Sequence, residues 1–309
     1  MDYAIGIDIG GTKIAGGLVD QEGRVFHEIT APTPAQEGSA AILETAFEVA
    51  QRVRAAAAES GAQVSACGVG AAGQIEFPRG RVRYASPTLK GWAGTEIAQT
   101  LSGRLGLPVA VDNDANVLAL AEQRFGAGRG LRDVLFVTVG TGIGGALVLD
   151  GRLRRGSTST AGEIGTLLVE VSAARMGAGP LAGKLESYAS GPAIAARYCE
   201  MMCLDDAVDL RTVTVRAQAG DVHARAALRE GAVLLGLALN GLLNTLDPQA
   251  VIVGGGVAQI GELWWTPLLE TIRANPMPGP AGVLLLPAEL ATHAPIAGAG
   301  ALAFEAAVT

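Results

Sequence analysis

Three glycine turns, each following an apolar run, are the features of this sequence with the most evident chemical capacity. Gly6 to Lys13 reads Gly-Ile-Asp-Ile-Gly-Gly-Thr-Lys, Gly140 to Gly145 reads Gly-Thr-Gly-Ile-Gly-Gly, and Gly254-Gly255-Gly256 closes the run Ala250 to Val253. Such turns let backbone N–H groups approach an anion with no Cβ in the way. The first differs from a Walker A loop by one residue, and the second satisfies the G-x-G-x-x-G dinucleotide pattern. Both fingerprints require a helix after the turn. Here Ile14 to Val19 and Gly145 to Leu149 read as strands, so neither a P-loop nor a Rossmann turn is expected. Taken alone, each turn also fits a tight hairpin or, for the third, a helix–strand packing turn. Asp8 ahead of the first turn, with Thr138 and Thr141 around the second, adds a carboxylate and hydroxyls to the amides. That donor set suits Mg²⁺ and a polyphosphate.

Four further polar residues stand at a strand end, in a loop or at a helix start. Asp114 follows the apolar run Pro108 to Asp112 and opens a helical pattern. A carboxylate there fits an N-cap. Asn113 beside it fits a turn. Glu163 and Glu186 fit solvated loop and helix-start charges. Lysine occurs only at Lys13, Lys90 and Lys184, so Lys13 beside a glycine turn is less readily a casual surface charge.

These residues need elements to position them. Strands are predicted at Tyr3–Ile9, Ile14–Val19, Arg24–Thr30, Val64–Val69 and Pro108–Asp112, and helices at Ser39–Ala58, Thr95–Leu105 and Ala115–Phe125. The second half restarts with strands Val134–Val139 and Gly145–Leu149 around a glycine turn. At one constant offset Gly10 falls on Gly140 and Asp20 on Asp150, an internal repeat of a strand–turn–strand unit. Helices are predicted at Pro192–Glu200, Val213–Ala219, Val222–Leu246, Val257–Ala274 and Ala297–Ala307, with strands at Ala250–Val253 and Val283–Pro287. The pattern is α/β with mixed sheets flanked by helices. It suggests two related lobes with a cleft between them: residues 1–117, completed by the helix 297–309, and residues 118–296 with the nucleotide turns.

Composition narrows the function classes. The chain has 309 residues, 49% hydrophobic and 17% charged, which is ample for a core and rules out bulk disorder. Its 43 glycines lack a three-residue period, so it is not collagen-like. The net charge is −7 with no basic run, which gives nucleic-acid binding little support. Cys67, Cys199 and Cys203 make no disulfide framework. The last two are expected as buried small side chains on a helix rather than as a metal site. No leader pattern opens the chain, and Ala232 to Leu246 is interrupted by Asn240 and Asn244. It is therefore expected as a buried helix, with no membrane partner and a cytoplasmic location. Trp264-Trp265 is expected in the core or at a subunit interface.

A strand–glycine turn–strand that grips phosphate is the arrangement of the actin-like ATPase fold (ribonuclease H-like). With Asp8-Ile-Gly-Gly-Thr-Lys13, Asp112-Asn-Asp-Ala-Asn116, Gly140-Thr-Gly-Ile-Gly-Gly145, Ala161-Gly-Glu-Ile-Gly165 and Val253-Gly-Gly-Gly256 in this order, the chain resembles the ROK family (repressor, open reading frame, kinase). The resemblance covers nearly the whole chain and implies an ATP-dependent sugar kinase. Asp114 would be the general base, and Gly73, Asn113, Glu163, Thr166 and Glu186 would face the sugar with it. Asp8 would face Mg²⁺ through water. Gly10, Gly11, Thr12, Lys13, Thr138, Thr141 and Gly142 would line the phosphates, and Gly254, Gly255 and Gly256 the adenosine. Leu185-Glu-Ser-Tyr-Ala-Ser-Gly191 matches the later sugar-binding segment of the family. A homodimer or larger homo-oligomer is expected. The family's repressors carry an N-terminal helix-turn-helix, for which a first strand at Tyr3 leaves no room.

The sequence departs from the family at its zinc motif. Thr166 stands at the usual His, and Gly177, Gly179 and Lys184 stand at the three usual Cys positions, so no zinc is expected there. Apolar packing by Leu167, Leu168, Val169, Met176 and Leu181 is expected to hold that loop instead. Ser86-Pro-Thr88 is a second departure, while Trp92 is retained. The expected reaction is phosphorylation of glucose, at C6. The alternatives are an N-acetylhexosamine kinase or fructokinase, a non-catalytic sugar-responsive ROK protein, and another actin-like ATPase.

Overall fold

The computed structural model describes residues 2–170 and 182–307. The chain forms two compact units, one made of Met1–Gly130, Leu153–Ala161 and Glu289–Thr309, the other of Leu131–Arg152 and Gly162–Ala288.

The first unit is built from β1 (Asp2–Ile9), β2 (Lys13–Val19), β3 (Val25–Pro32), α1 (Ser39–Glu59), β4 (Gln63–Ala71), β5 (Gln74–Glu76), β6 (Arg81–Tyr84), α2 (Ile97–Leu105), β7 (Val109–Asn113) and α3 (Asp114–Phe125). Its main sheet has the order β3-β2-β1-β4-β7. β1 pairs antiparallel with β2 and parallel with β4, which pairs parallel with β7. Ile42, Leu43, Ala46, Val49, Ala50, Val53 and Ala57 form the buried stripe of α1, at the spacing an amphipathic helix needs. The hairpin of β5 and β6 was not predicted. Each strand buries a single apolar side chain, Ile75 or Val82, too little alternation to register as a pattern.

The second unit contains β8 (Val134–Val139), β9 (Ile143–Leu149), the first residue of β10 (Arg152–Arg154), α4 (Glu186–Ala189), α5 (Gly191–Met202), α6 (Leu210–Gln218), α7 (Val222–Leu246), β11 (Ala250–Gly254), α8 (Glu262–Arg273), α9 (Pro278–Ala281) and β12 (Leu284–Pro287). Its sheet runs β10-β9-β8-β11-β12. Each unit's main sheet therefore places its own strands in the order third, second, first, fourth, fifth. The repeat seen as matching glycines is a repeat of topology. The helix predicted over Val257–Ala274 is broken: Val257–Ile260 is a 3₁₀ turn, and Gly261, at φ +88°, separates it from α8. That backbone conformation is open to glycine and ends a helix.

The chain closes with α10 (Ala294–Ala307), which packs on β1, β4 and α3 of the first unit. Gly6 and Gly68 permit this approach, because a Cβ on either would run into the carbonyls of Ile296 and Ala299. Gly6 is thus a packing glycine, not part of the turn that its spacing suggested. The expected lobe boundary after residue 117 falls inside α3, whose whole length belongs to the first unit.

α7 is the one helix among the described residues long and apolar enough to cross a membrane. Its buried residues, from Ala224 to Leu243, recur at helical spacing and join the core of the second unit with Trp264. Trp264 is fully buried and the Trp265 indole donates to Ala258 O at 2.8 Å, so the pair belongs to this core. Only Cys67 is buried, and burial pushes its thiol up to about 12. Cys199 is half-buried and Cys203 exposed, contrary to expectation, because Cys203 ends α5 in a left-handed conformation outside the packed stripe.

Candidate active site

In the first unit, two carboxylates stand at the carboxyl ends of the parallel strands that flank β4. Asp8, near the end of β1, pairs in register with Gly70 of β4, and Gly70 pairs with Asp112 near the end of β7. Asp114 opens α3 immediately beyond. Burial and then the Asp114 charge push the Asp8 carboxyl up to about 6, while Lys13 pulls it down. Asp114 reaches solvent, yet the protein packed around it holds its carboxyl above the usual range, against the amides of Ala115 and Asp114 and the Asn113 side chain. Burial penalises the charged form.

The N-cap of α3 is Asn113, not Asp114. Asn113 Oδ1 accepts from Ala115 N at 2.9 Å and Nδ2 donates to Gly73 O at 2.9 Å. Gly73 sits at φ +103°, and a Cβ there would lie 2.6 Å from the Tyr84 carbonyl, so this turn requires glycine. Asp112 is buried, and its Oδ1 accepts from Asn113 N and Asn116 Nδ2, both at 2.8 Å. Sequence reasoning passed over Asp112 and Asn116 because one buried hydrogen-bonded Asp reads like any strand-end residue.

The first glycine turn is closed by Gly10 N donating to Lys13 O at 3.0 Å and braced by Thr33 Oγ1 on Gly10 O at 2.8 Å. Gly11 is half-buried, and Thr12 and Lys13 are exposed at its tip.

In the second unit the other two turns lie side by side. Gly140 N donates to Gly142 O at 2.9 Å, and Gly191 N to Gly140 O at 2.8 Å. Gly255, at φ +91°, rests against the backbone of Val139, where a Cβ would collide with the carbonyl. Thr138 is half-buried and Thr141 exposed. A cavity of about 1110 Å³ adjoins them, walled by Thr141, Gly191, Ala195, Leu210, Thr214 and Gly256 among others. Gly254 packs on Ala288, so of the third turn only Gly256 faces the cavity. An apolar wall beside two glycine turns can take a flat heteroaromatic ring with phosphates toward the amides. The walls contributed by α5 and α6 were not legible, since nothing in their local pattern separates a pocket wall from a core face.

Glu186, first residue of α4, reaches the second turn: its Oε2 accepts from Ile143 N at 2.8 Å and occupies space that a side chain at Gly142 would need. Glu163 is exposed ahead of the 3₁₀ turn Ile164–Thr166. Gly162 and Gly165 on either side press against the carbonyls of Gly145 and Ile143, which pins this segment on β9. Thr166 Oγ1 donates to Glu163 O at 2.7 Å. The loop beyond is closed at its base by Leu185 N on Leu167 O and Val169 N on Gly183 O, each 2.8 Å, with Lys184 bridged to Leu168. Leu167 and Val169 pack on the core as expected. Leu168 is 53% exposed and does not, because the Lys184 pairing turns it outward. Met176, Gly177, Gly179 and Leu181 lie outside the described residues. Among the described residues no three His, Cys, Asp or Glu side chains cluster as metal ligands.

Comparison with known proteins covers most of the chain. The sequence model of the ROK family matches residues 4–306. Glucokinase of Streptomyces coelicolor is 34% identical over 289 residues, 88% of this chain and 88% of that protein. The ROK hexokinase from Thermus thermophilus has a TM-score of 0.86 at 36% identity, covering 98% of each chain. A ROK family glucokinase from Streptomyces griseus, in complex with glucose and AMPPNP, has a TM-score of 0.82 at 34% identity, covering 98% of this chain and 99% of that one.

Proposed function

The chain belongs to the ROK family, and we propose that it transfers the γ-phosphoryl group of ATP to the C6 hydroxyl of glucose with Asp114 as general base. Its fold is the actin-like ATPase fold and its activity class is ATP-dependent phosphorylation of a sugar. The hexose and the residue roles are our reading. The observation that carries it is the Asp8–Asp114 pair. A carboxylate raised by the protein packed around it is a stronger base near neutral pH than a solvated one, and Asp114 shares the Ala115 amide with the capping Asn113 side chain through Oδ1, at 2.8 Å. A hydroxyl attacking phosphorus must lose its proton, and Asp114 accepts it.

Asp8 is assigned to Mg²⁺ through water. Mg²⁺ keeps several waters and takes oxygen ligands, and a raised carboxyl beside a second carboxylate fits a cation better than an isolated charge. When bound, the ion neutralises charge on the transferred phosphoryl group. Thr12, Lys13, Thr138, Thr141 and the amides of the first two glycine turns hold the phosphates, and the cavity beside Gly256 takes the adenosine. Glu163 and Glu186 are assigned to sugar hydroxyls, with Glu186 also supporting the second turn. A cytoplasmic location fits the three free cysteines. A coupled assay with ATP and Mg²⁺ over a hexose panel tests this reading. Glucose giving the highest kcat/KM supports it, and ADP release without sugar phosphate overturns it. An N-acetylhexosamine preferred over glucose overturns the choice of sugar, which Thr166 at the usual His position makes the open specificity question.

A further inference from the structure

Arg155 has no part in the assignments above, yet it reaches the segment that carries Asp114. Its side chain is 17% exposed, and its partner Asp112 only 1%. The guanidinium carbon lies 3.6 Å from the centroid of the Phe77 ring, and Nε donates to Asp112 Oδ2 at 2.6 Å. Asp112 uses its other oxygen on Asn113 N and Asn116 Nδ2. Arg155 thus holds one oxygen of a carboxylate whose second oxygen fixes the peptide one residue before Asp114. The segment around it is anchored in turn: Ala161 N donates to Arg155 O at 3.0 Å, and Gln74 Nε2 to Thr158 O at 2.7 Å.

We propose that Arg155 is a positioning residue for Asp114: through Asp112 it fixes the β7–α3 junction on which the base is mounted. The proposal rests on Asp114 being that base. Arginine suits the task because it stacks on an aromatic ring while directing a planar N–H at a carboxylate, which lysine does not do. Removing it takes the ion-pair partner from a buried carboxylate. The carboxylate then turns or admits water, the anchor on Asn113 N loosens, and Asp114 drifts. A misplacement of about 1 Å costs up to about 10²-fold in rate.

The test uses the full chain with Arg155→Ala and Arg155→Lys, read by hexokinase kinetics and by amide hydrogen exchange. Arg155→Ala is expected to lower kcat by about 30- to 100-fold with KM for ATP unchanged within twofold, since the nucleotide-side residues sit on other elements. Millimolar guanidinium, but not sodium chloride of equal ionic strength, should restore part of kcat. Arg155→Lys should fall in between. Exchange at Asn113 and Ala115 should quicken in both variants while the later turns of α3 stay protected. A kcat within twofold of wild type, parallel loss of kcat and ATP affinity, or guanidinium raising the melting temperature without kcat would overturn the proposal. If Arg155→Ala does not fold, Arg155→Lys carries the test, and an unchanged kcat there refutes it. A wild-type chain that phosphorylates no hexose sinks the functional reading instead. The exchange data then decide whether Arg155 fixes the junction, and protection equal to wild type is the refuting result.

Discussion

Asp8→Asn should make the protein more stable and nearly inactive. In the folded chain the Asp8 carboxyl rises from 3.8 to about 6, through burial first and the neighbouring Asp114 charge second. The fold therefore favours the protonated form. A raised carboxyl contributes nothing unfavourable below about pH 3.8, opposes folding increasingly as pH rises toward 6, and opposes it fully above that. The free-energy cost at neutral pH is about 3 kcal/mol, at ~1.4 kcal/mol per tenfold change in proton affinity. Asparagine has the shape of the protonated acid and no charge, so the variant should gain about that much near pH 7.5, and about half as much near pH 5. The assay is urea unfolding of both proteins at the two pH values, without nucleotide or metal. The same substitution removes the carboxylate assigned to Mg²⁺ and should lower kcat by at least ~10²-fold. A variant no more stable than wild type near neutral pH, or a gain that does not shrink on acidification, would refute the electrostatic reasoning.

Three other perturbations have expected outcomes. Gly255→Ala forces a left-handed backbone and a collision with the Val139 carbonyl, so KM for ATP should rise by about tenfold or more while glucose affinity holds; unchanged ATP kinetics would remove the third turn from the nucleotide site. Glu122, buried at the end of α3, accepts from Ala127 N, Glu289 N and Leu290 N at 2.9, 3.1 and 2.9 Å. Glu122→Ala strands three amides and should cost about 3–5 kcal/mol in urea unfolding; a loss under 1 kcal/mol would contradict it. EDTA treatment followed by fresh Mg²⁺ should leave activity intact, and elemental analysis should find far less than one zinc per chain; stoichiometric zinc would reveal a ligand set other than the family's Cys₃His motif.

The first two glycine turns were legible because a strand, a turn and a second strand leave a local signature, and its repeat pointed to two related lobes, while the strand order within each sheet emerged only from the structure. Periodicity placed α1, α3 and α7 within a residue or so of their observed ends. What escaped the sequence depends on contacts distant along the chain. Gly6 serves α10, almost 300 residues away, yet its spacing mimicked a phosphate loop. Arg155 meets Asp112 across 43 positions, and the cavity walls come from α5 and α6, whose residues look like ordinary core. The cap at α3 went to Asn113 rather than Asp114 because the choice depends on backbone angles at one junction, where either residue type is acceptable. The gap at Gly261 was missed because one glycine in a helical pattern is tolerated unless its φ is positive.

The central claim is that Asp114 takes the proton from the sugar hydroxyl, and single-turnover kinetics of Asp114→Asn with glucose and Mg·ATP tests it most directly, alongside glucose affinity measured by calorimetry. Asparagine keeps the side-chain shape and the first turn of α3, whose cap is supplied by Asn113. The account predicts glucose affinity within a few-fold of wild type and a phosphoryl-transfer rate lower by about 10²–10⁴-fold. A variant that binds glucose normally and transfers phosphate at close to the wild-type rate would contradict it.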